Sequence, residues 1–175
     1  MKTLLNAEQI NQTVNQLYND IVADINSESD LAIIGLRSRG EILAHRLLEK
    51  LKKQFGHSVP CGTLDITLYR DDLHAPRGGS QPTVRATEIE FDVNNKFILL
   101  VDDVLHTGRS VRAAMDALTD LGRPRAVRLA VLVDRGAQEL PIRADYVGIR
   151  AEVEPSKSVK VHLAERDNVD EVIVE

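Results

Sequence analysis

Short uninterrupted apolar runs alternate along the chain with stretches of helical periodicity. Apolar residues three or four positions apart predict a first helix over about 7–26. Runs at 31–35, 97–101 and 126–133 are too short for buried helices and are typical of parallel strands that are covered on both faces. A helix with apolar residues on one side follows each of the first two runs. This alternation predicts an α/β fold with a mostly parallel central sheet flanked by helices.

Weaker patterns cover the remaining segments. Residues 61–68 alternate loosely and predict a strand that runs into a loop, and residues 88–91 predict a short return strand. A turn and a short strand are predicted at 140–148. The alternation at 159–163 and the apolar run at 172–174 predict that the chain closes with an antiparallel pair at the sheet edge.

Residues 70–87 contain proline and glycine among charged residues and show no periodicity. A loop of this length inside a compact domain is often functional. It would suit a mobile lid that excludes water from a reaction, with Arg70, Arg77 and Arg85 meeting a bound anion. A hairpin arm that makes subunit contacts fits the same residues, and the sequence leaves both readings open.

The chain is organised around residues 97–110, where the second apolar run leads into Asp102 and Asp103 and then into a polar turn. Thr107 begins this turn, which opens the next helix and offers backbone N–H groups, hydroxyls and a guanidinium to an anion. The two carboxylates suit hydroxyl groups or a cation. These residue types fit a phosphorylated sugar, although a carboxylate pair with a threonine helix cap is also a common structural feature.

A second loop of similar build follows the first strand. It contains Arg37 and Arg39 between a strand and a helix, which predicts a second anion site, unless the two arginines are simply solvated. Parallel strands joined by a helix place their carboxyl ends on one edge of the sheet. We therefore expect Asp134 and Arg135, at the end of the 126–133 run, to line the same cleft as Asp102.

Composition restricts the class of protein. With 175 residues, 43% of them apolar, the chain fits one domain with one sizeable core. Its net charge of −5 gives no overall attraction to nucleic acid or anionic membranes, so RNA binding would need a local basic patch. The only cysteine, Cys61, excludes an intrachain disulfide and agrees with a reducing cytosol. Polar residues from Asn6 onward interrupt the apolar start before it resembles a signal peptide, and we expect a cytoplasmic protein without a membrane span.

Residues 100–110, Leu-Val-Asp-Asp-Val-Leu-His-Thr-Gly-Arg-Ser, resemble the phosphoribosyl pyrophosphate (PRPP) motif of type I phosphoribosyltransferases. The likeness extends to residues 65–73, 101–124, 129–136 and 139–148. These blocks are similar to the bacterial bifunctional family of pyrimidine operon attenuator and uracil phosphoribosyltransferase (PyrR), closely so over 31–148.

The resemblance implies a type I phosphoribosyltransferase fold with a small hood. One domain would span 1–175, with a core at about 27–150 that the first helix and last strands complete. It further implies transfer of phosphoribose from PRPP to uracil, which gives UMP and pyrophosphate, with Mg²⁺ arriving on PRPP and no protein ligand assigned to it. The same resemblance implies that the protein binds a messenger RNA leader, that uridine nucleotides control this binding, and that the chain forms a homodimer or homotetramer.

Matching the family's motifs residue by residue assigns roles to single positions. Arg39, Asp102 and Asp103 would be catalytic, and the two aspartates would hold the ribose hydroxyls. The pyrophosphate would lie at Ser38, Arg39 and Gly40, and the 5′-phosphate at the turn from Thr107. The complete PRPP set is Ser38, Arg39, Gly40, Asp102, Asp103, Val104, Leu105, His106, Thr107, Gly108, Arg109 and Ser110. The base would meet Val133, Asp134 and Arg135, and the hood loop would contribute Arg70, Asp71 and Asp72.

Departures from the family pattern bear on RNA and on the base. The outer face of the first helix, which is basic in the family, carries neutral amides here, at Asn11, Gln12, Asn15, Gln16 and Asn19. Ala137 and Gln138 replace a His-Arg pair, and residues 148–156 lack the family's Gly-Lys-Asn-Val-Pro-Thr-Ser stretch. Because lysine and arginine supply most RNA affinity, these losses predict weak RNA binding. His106 stands where tyrosine is more usual. Three hypotheses remain open: a uracil phosphoribosyltransferase, an RNA-binding regulator with little turnover, and a phosphoribosyltransferase for purine or orotate.

Overall fold

The computed structural model describes residues 2–25, 30–69 and 87–175. Four helices in these ranges are α1 (Ala7–Ile25), α2 (Arg39–Phe55), α3 (Arg109–Leu121) and the single turn α4 (Ala164–Asp167). The strands there are β1 (Lys2–Leu5), β2 (Leu31–Leu36), β3 (Cys61–Leu64), β4 (Phe97–Leu105), β5 (Ala126–Asp134), β6 (Tyr146–Arg150), β7 (Val159–His162) and β8 (Glu171–Val174).

Five parallel strands form the central sheet in the order β3-β2-β4-β5-β6. Consecutive residues of β2 and β4 face opposite sides of this sheet, so Ile33 and Leu99 pack with α1 and α2. Ile34 and Leu100 pack with α3 on the other side. The α/β prediction is confirmed, and the continuous apolar runs follow from burial on both faces.

Strand β4 is longer than its apolar run predicts. The expected strand ended at Val101, whereas β4 continues through both aspartates to Leu105. Pairing with β5 extends over the polar residues, with Val104 opposite Val133 and Leu105 opposite Asp134. Backbone pairing with a neighbouring strand, and not side-chain polarity, therefore determines where β4 ends.

The antiparallel pair at the end of the chain is confirmed, but its predicted place at the edge of the central sheet is wrong. Strands β7 and β8 pair with Val161 opposite Val172, and β1 adds to the other side of β8. The three strands form a separate sheet in the order β1-β8-β7. We call this sheet, together with α4, the hood.

Two predicted strands are shorter than expected. Strand β3 stops at Leu64, and a 3₁₀ turn at Thr67–Tyr69 follows it. Of residues 88–91, only Glu88 pairs, in an isolated antiparallel bridge to Thr63. The loop assigned to a lid or a hairpin arm lies outside the described residues, and so do Arg70, Asp71 and Asp72. No helix within the described ranges is long and apolar enough to cross a bilayer.

Candidate active site

The carboxyl ends of β2, β4 and β5 meet at one edge of the central sheet. Gly40, in the first turn of α2, lies directly against β4 at Val101 and Asp102: a Cβ atom at this position would be 2.5 Å from the carbonyl oxygen of Val101 and 3.1 Å from the Cα of Asp102. Only glycine permits this approach. The two loops that the sequence singled out as anion sites therefore lie side by side.

The two adjacent carboxylates have different environments. Asp102 is 8% exposed, whereas Asp103 is half-buried. The carboxylate of Asp102 accepts the N–H of Asp103 at 2.9 Å, and the carboxylate of Asp103 accepts the N–H of Val104 at 2.9 Å. Burial, reinforced by the charge of Asp103, raises the pKa of Asp102 well above its usual value. The pair can therefore present one protonatable carboxyl and one more accessible acceptor to sugar hydroxyls.

The turn after β4 encloses a small polar cavity of about 180 Å³, lined by residues that include His106, Thr107, Gly108 and Ser110. Gly108, with φ 89°, is the N-cap residue that precedes α3, and the N–H of Arg109 donates to the Thr107 hydroxyl at 3.3 Å. The cavity lies at the amino end of a 13-residue helix, where an anion is favoured. The guanidinium of Arg109 pairs with Glu139 at 2.8 Å, a contact that local sequence does not indicate.

Both arginines of the second loop form ion pairs. Arg37 lies 3.9 Å from Glu41 and 3.4 Å from Glu88. Arg39, the first residue of α2, contacts Asp167 of the hood through two hydrogen bonds of 2.8 and 3.1 Å. The alternative of two simply solvated arginines is wrong, because carboxylates from distant parts of the chain hold both side chains.

Ser38 precedes α2 without making a side-chain cap, and the peptide bond between Arg37 and Ser38 is cis. The backbone N–H groups of the first turn of α2 have no partner within the helix, as at every helix start. Together with Gly40, they form a second place where an anion is favoured next to Asp102.

The segment after β5 lines the same edge of the sheet. The carboxylate of Asp134 accepts the N–H of Gly136 and the side-chain amide of Gln138, both at 2.9 Å. Arg135 donates its backbone N–H to the carbonyl of Leu105 at 2.8 Å. A cavity of about 400 Å³ opens beside Asp134 and Arg135 and reaches Arg150 and Glu152.

Val133 differs from Asp134 and Arg135, because its side chain is fully buried in the core. Any contact between Val133 and a base must therefore use its backbone. The side-chain amide of Gln138 holds the carboxylate of Asp134 in place. The sequence analysis did not predict this role. The only feature of the sequence that could have indicated it is the position of Gln138, two residues after Gly136.

His106 lies between the turn from Thr107 and the segment after β5. Partial burial and the positive charge of Arg135 lower the pKa of His106 below its usual value. The neutral imidazole dominates at neutral pH, so it can donate one hydrogen bond and accept another.

Within the described ranges, no group of three or more His, Cys, Asp or Glu residues is arranged to hold a metal ion. Asp102 and Asp103 supply hard oxygen atoms, which Mg²⁺ accepts when substrate phosphates and waters complete its coordination. The two aspartates therefore provide oxygen ligands of the kind that Mg²⁺ accepts.

Comparisons with known proteins agree with this geometry. The profile of the family described as phosphoribosyl transferase domain matches residues 1–166. A protein of Thermus thermophilus named "Bifunctional protein PyrR" is 50% identical over 169 residues, which cover 97% of this chain and 92% of that protein. Proteins with the same name from Deinococcus deserti and Limosilactobacillus fermentum are 49% and 44% identical, over 97% and 98% of this chain and 92% and 96% of their own lengths.

Solved structures show the same fold at low identity. The hypoxanthine phosphoribosyltransferase of Trypanosoma cruzi superposes with a TM-score of 0.71 at 16% identity, covering 99% of this chain and 95% of that one. A hypoxanthine-guanine phosphoribosyltransferase of Bacillus anthracis gives 0.69 at 18% identity, with 98% and 96% covered. The resemblance inferred from the sequence is confirmed: the chain belongs to the phosphoribosyl transferase domain family and, within it, to the family of the bifunctional PyrR proteins.

Proposed function

We propose that this site transfers the phosphoribosyl group of PRPP to uracil, giving UMP and pyrophosphate. Family membership makes the chain a phosphoribosyltransferase. The observation that carries the choice of substrate site is the contact between Gly40 and β4 at Val101 and Asp102. This contact puts Asp102 and Asp103 between two helix starts that favour anions. A sugar that carries a phosphate at one end and a diphosphate at the other matches this order of groups.

Each part of the site has one task in the proposed reaction. The turn from Thr107 binds the 5′-phosphate, and the first turn of α2 with Arg39 binds the diphosphate. The carboxylates hold the ribose hydroxyls, so that C1′ faces the base beside Asp134 and Arg135. Positioning and charge stabilisation supply the catalysis.

No nucleophilic residue is needed, because N1 of uracil attacks C1′ as the bond from C1′ to the pyrophosphate oxygen breaks. The N1 proton passes to the departing pyrophosphate or to water. The sugar gains positive character and the leaving group gains negative charge. Arg39 stabilises that negative charge. A Mg²⁺ ion that bound with the substrate would neutralise charge on the diphosphate, and Asp102 and Asp103 are the residues that would hold it.

The other assignments also enter as proposals. PRPP is highly charged and cannot cross a bilayer unaided, so we place the reaction in the cytoplasm. Leu68, Met115 and Leu121 expose 70%, 40% and 46% of their surface, and we propose that a homodimer or homotetramer covers part of this apolar surface. Leader mRNA is a weak partner in this proposal, because the outer face of α1 is neutral.

The decisive experiment incubates the protein with PRPP, Mg²⁺ and one base at a time, and measures nucleotide and pyrophosphate by chromatography. We expect UMP from uracil, and little product from orotate, hypoxanthine or guanine. A preference for another base would overturn the choice of uracil while leaving the enzyme class intact. Pyrophosphate release from none of the bases, with specific RNA binding, would support the regulator instead.

A further inference from the structure

Helix α2 presents two arginines to the hood from one side. Arg39 and Arg46 are seven residues apart, which is two helical turns. Arg39 binds Asp167, with Nε at 3.1 Å from Oδ2 and Nη2 at 2.8 Å from Oδ1. Arg46 binds Glu165 at 2.6 and 2.8 Å and Asp170 at 2.8 and 3.0 Å. Three ion pairs therefore join α2 to the hood, one through Arg39 and two through Arg46, and only the Arg39 pair lies in the proposed pyrophosphate site.

The carboxylate of Asp167 is fixed independently of Arg39. It accepts the backbone N–H of Leu163 at 2.9 Å, and Leu163 is fully buried. Asp167 is also the last residue of α4, the turn that connects β7 to β8. The hood backbone therefore places the carboxylate, and the guanidinium of Arg39 takes its orientation from it.

The two hydrogen bonds occupy one edge of the guanidinium. Asp167 engages Nε and Nη2, and Nη1 has no hydrogen-bond partner among the described residues. The Arg39 side chain is 28% exposed, so the remaining N–H groups are accessible to a ligand. A guanidinium has five N–H donors in a rigid plane, so holding one edge also sets the direction of the other.

We propose that Asp167 is a positioning residue for the pyrophosphate site: it holds Arg39 by its Nε–Nη2 edge so that the Nη1 edge faces the diphosphate of PRPP. This inference rests on the proposed function. A long, flexible side chain would otherwise have to be ordered as negative charge develops on the leaving group, which slows the reaction. Because Asp167 already orders the Arg39 side chain, no such reordering is needed during the reaction. The hood thereby contributes to catalysis, although it lies outside the loops that bind PRPP.

The test compares Asp167→Asn with Asp170→Asn as a matched control. The amide introduced by Asp167→Asn retains an oxygen for the N–H of Leu163 but loses the charge and one acceptor for Arg39. The control removes one carboxylate charge from the Arg46 cluster, which joins the same two elements away from the site, and Arg46 keeps its pair with Glu165. Like Asp167, Asp170 also accepts a backbone N–H of α4, that of Ala164 at 2.7 Å. We expect kcat for UMP formation to fall about tenfold in Asp167→Asn, with KM for uracil unchanged, and to stay within about twofold in Asp170→Asn.

A second comparison asks whether Asp167 acts through Arg39. In an Arg39→Ala background, Asp167→Asn should cause no further loss of residual UMP formation, because the residue that it positions is gone. Asp167→Glu, which keeps the charge, should recover part of the lost kcat. Equal effects of Asp167→Asn and Asp170→Asn, or additive losses in the Arg39→Ala background, would show that Asp167 only attaches the hood.

Calorimetric titration with magnesium pyrophosphate separates this inference from the proposed function. We expect weaker binding in Asp167→Asn than in Asp170→Asn or the unchanged protein. If the unchanged protein makes no UMP, the proposed function fails, and the titration still decides whether Asp167 orients an anion-binding arginine. Should Asp167→Asn fail to fold, as judged by thermal melting, Asp167→Glu is compared with Asp170→Glu by the same titration. Indistinguishable binding in those two variants would overturn the inference.

Discussion

Asp102 is a carboxyl group whose burial opposes its ionisation. Because the pKa of Asp102 is raised in the folded state, the folded protein binds this proton more tightly than the unfolded chain does. The stabilising effect of the bound proton is fully present below the unfolded pKa, near 4, and is lost as pH rises through the folded pKa. Above that pH, the charged carboxylate lowers the free energy of unfolding.

Replacing Asp102 with Asn therefore predicts higher stability at alkaline pH. The amide is neutral and can still accept the N–H of Asp103 at the same position. We expect Asp102→Asn to melt at a higher temperature than the unchanged protein at pH 8, with the difference shrinking towards pH 4. Each kcal/mol corresponds to about 2–4 °C for a chain of this size. Lower stability of the variant at pH 8 would contradict the assigned cost of ionisation.

Asp103 and Arg39 are predicted to matter for turnover and not for folding. Asp103 is half-buried at the end of β4, and Arg39 is partly exposed at the start of α2. Asp103→Asn and Arg39→Ala should each lower kcat/KM for UMP formation by about 10²-fold or more, the range seen when one charge-stabilising group is removed. Circular dichroism and thermal melting are the controls. Full activity in either folded variant would refute that residue's assignment.

The pKa of the His106 imidazole measures the electrostatic effect of neighbouring charges in the site. Partial burial and the charge of Arg135 lower its pKa, so NMR titration of the imidazole should give a midpoint below 6.5. Arg135→Gln removes the repelling charge and should raise that midpoint. An unchanged His106 midpoint in the variant would assign the whole shift to burial.

At the scale of elements, hydrophobic periodicity predicted those helices and strands whose position depends on packing against the sheet. The apolar faces of α1, α2 and α3 and the buried runs of β2, β4 and β5 were predictable because both depend on burial against the sheet. The extension of β4 through Asp102 to Leu105 was not, since it depends on pairing with β5. The two anion loops were predictable because strand-to-helix turns have recognisable residue types.

The close approach of α2 to β4 predicts a strong effect of one methyl group. In Gly40→Ala, the new Cβ would be 2.5 Å from the carbonyl oxygen of Val101, so α2 must move away from the carboxylates. We expect a loss of about 1–3 kcal/mol in the free energy of unfolding. We also expect a clear rise in KM for PRPP, because the diphosphate-binding turn is displaced.

The control for Gly40→Ala is the same substitution at the other end of the helix. Gly56 caps α2 with φ 65° and has open space around its Cβ position, so Gly56→Ala costs about 1 kcal/mol through backbone strain alone. Its KM for PRPP should be unchanged. If Gly56→Ala raises KM as much as Gly40→Ala does, general destabilisation would explain both effects.

At the scale of the whole molecule, contacts between distant parts of the chain escaped prediction. The four residues of β1 have no detectable period, and their partner β8 lies at the opposite end of the chain. Arg39 was identified as an anion-binding residue, but Asp167, 128 residues further along, gave no local sign of being its partner. The local sequence pattern predicts which face of an element is buried. It does not predict which of the many exposed carboxylates pairs with Arg39, because that depends on how distant elements pack in the folded protein.

The distribution of charge over the molecule predicts weak RNA binding. The outer face of α1 exposes five neutral amides, at Asn11, Gln12, Asn15, Gln16 and Asn19. A neighbouring groove of about 480 Å³ contains Arg46, Lys50 and Lys53, but Glu49 and Asp170 offset two of these three charges. With a net charge of −5 as well, few phosphates can be neutralised at this surface.

Filter binding over a range of salt concentrations measures this directly, with a 5′ leader transcript of pyrimidine-biosynthesis genes and a scrambled RNA of equal length. We expect similar, weak affinities for both RNAs and a log–log salt slope no steeper than about −2.

The Asn15→Arg and Asn19→Arg double variant adds two cations to the exposed face of α1. It should steepen the slope by roughly 0.7–0.9 per phosphate gained. Asp20→Asn, also on an exposed position of α1, changes charge by one unit without adding a cation, so it should steepen the slope far less. Tight leader-specific binding with a slope of about −5 in the unchanged protein would mean that RNA is held at another surface, and would restore the regulator as the principal function.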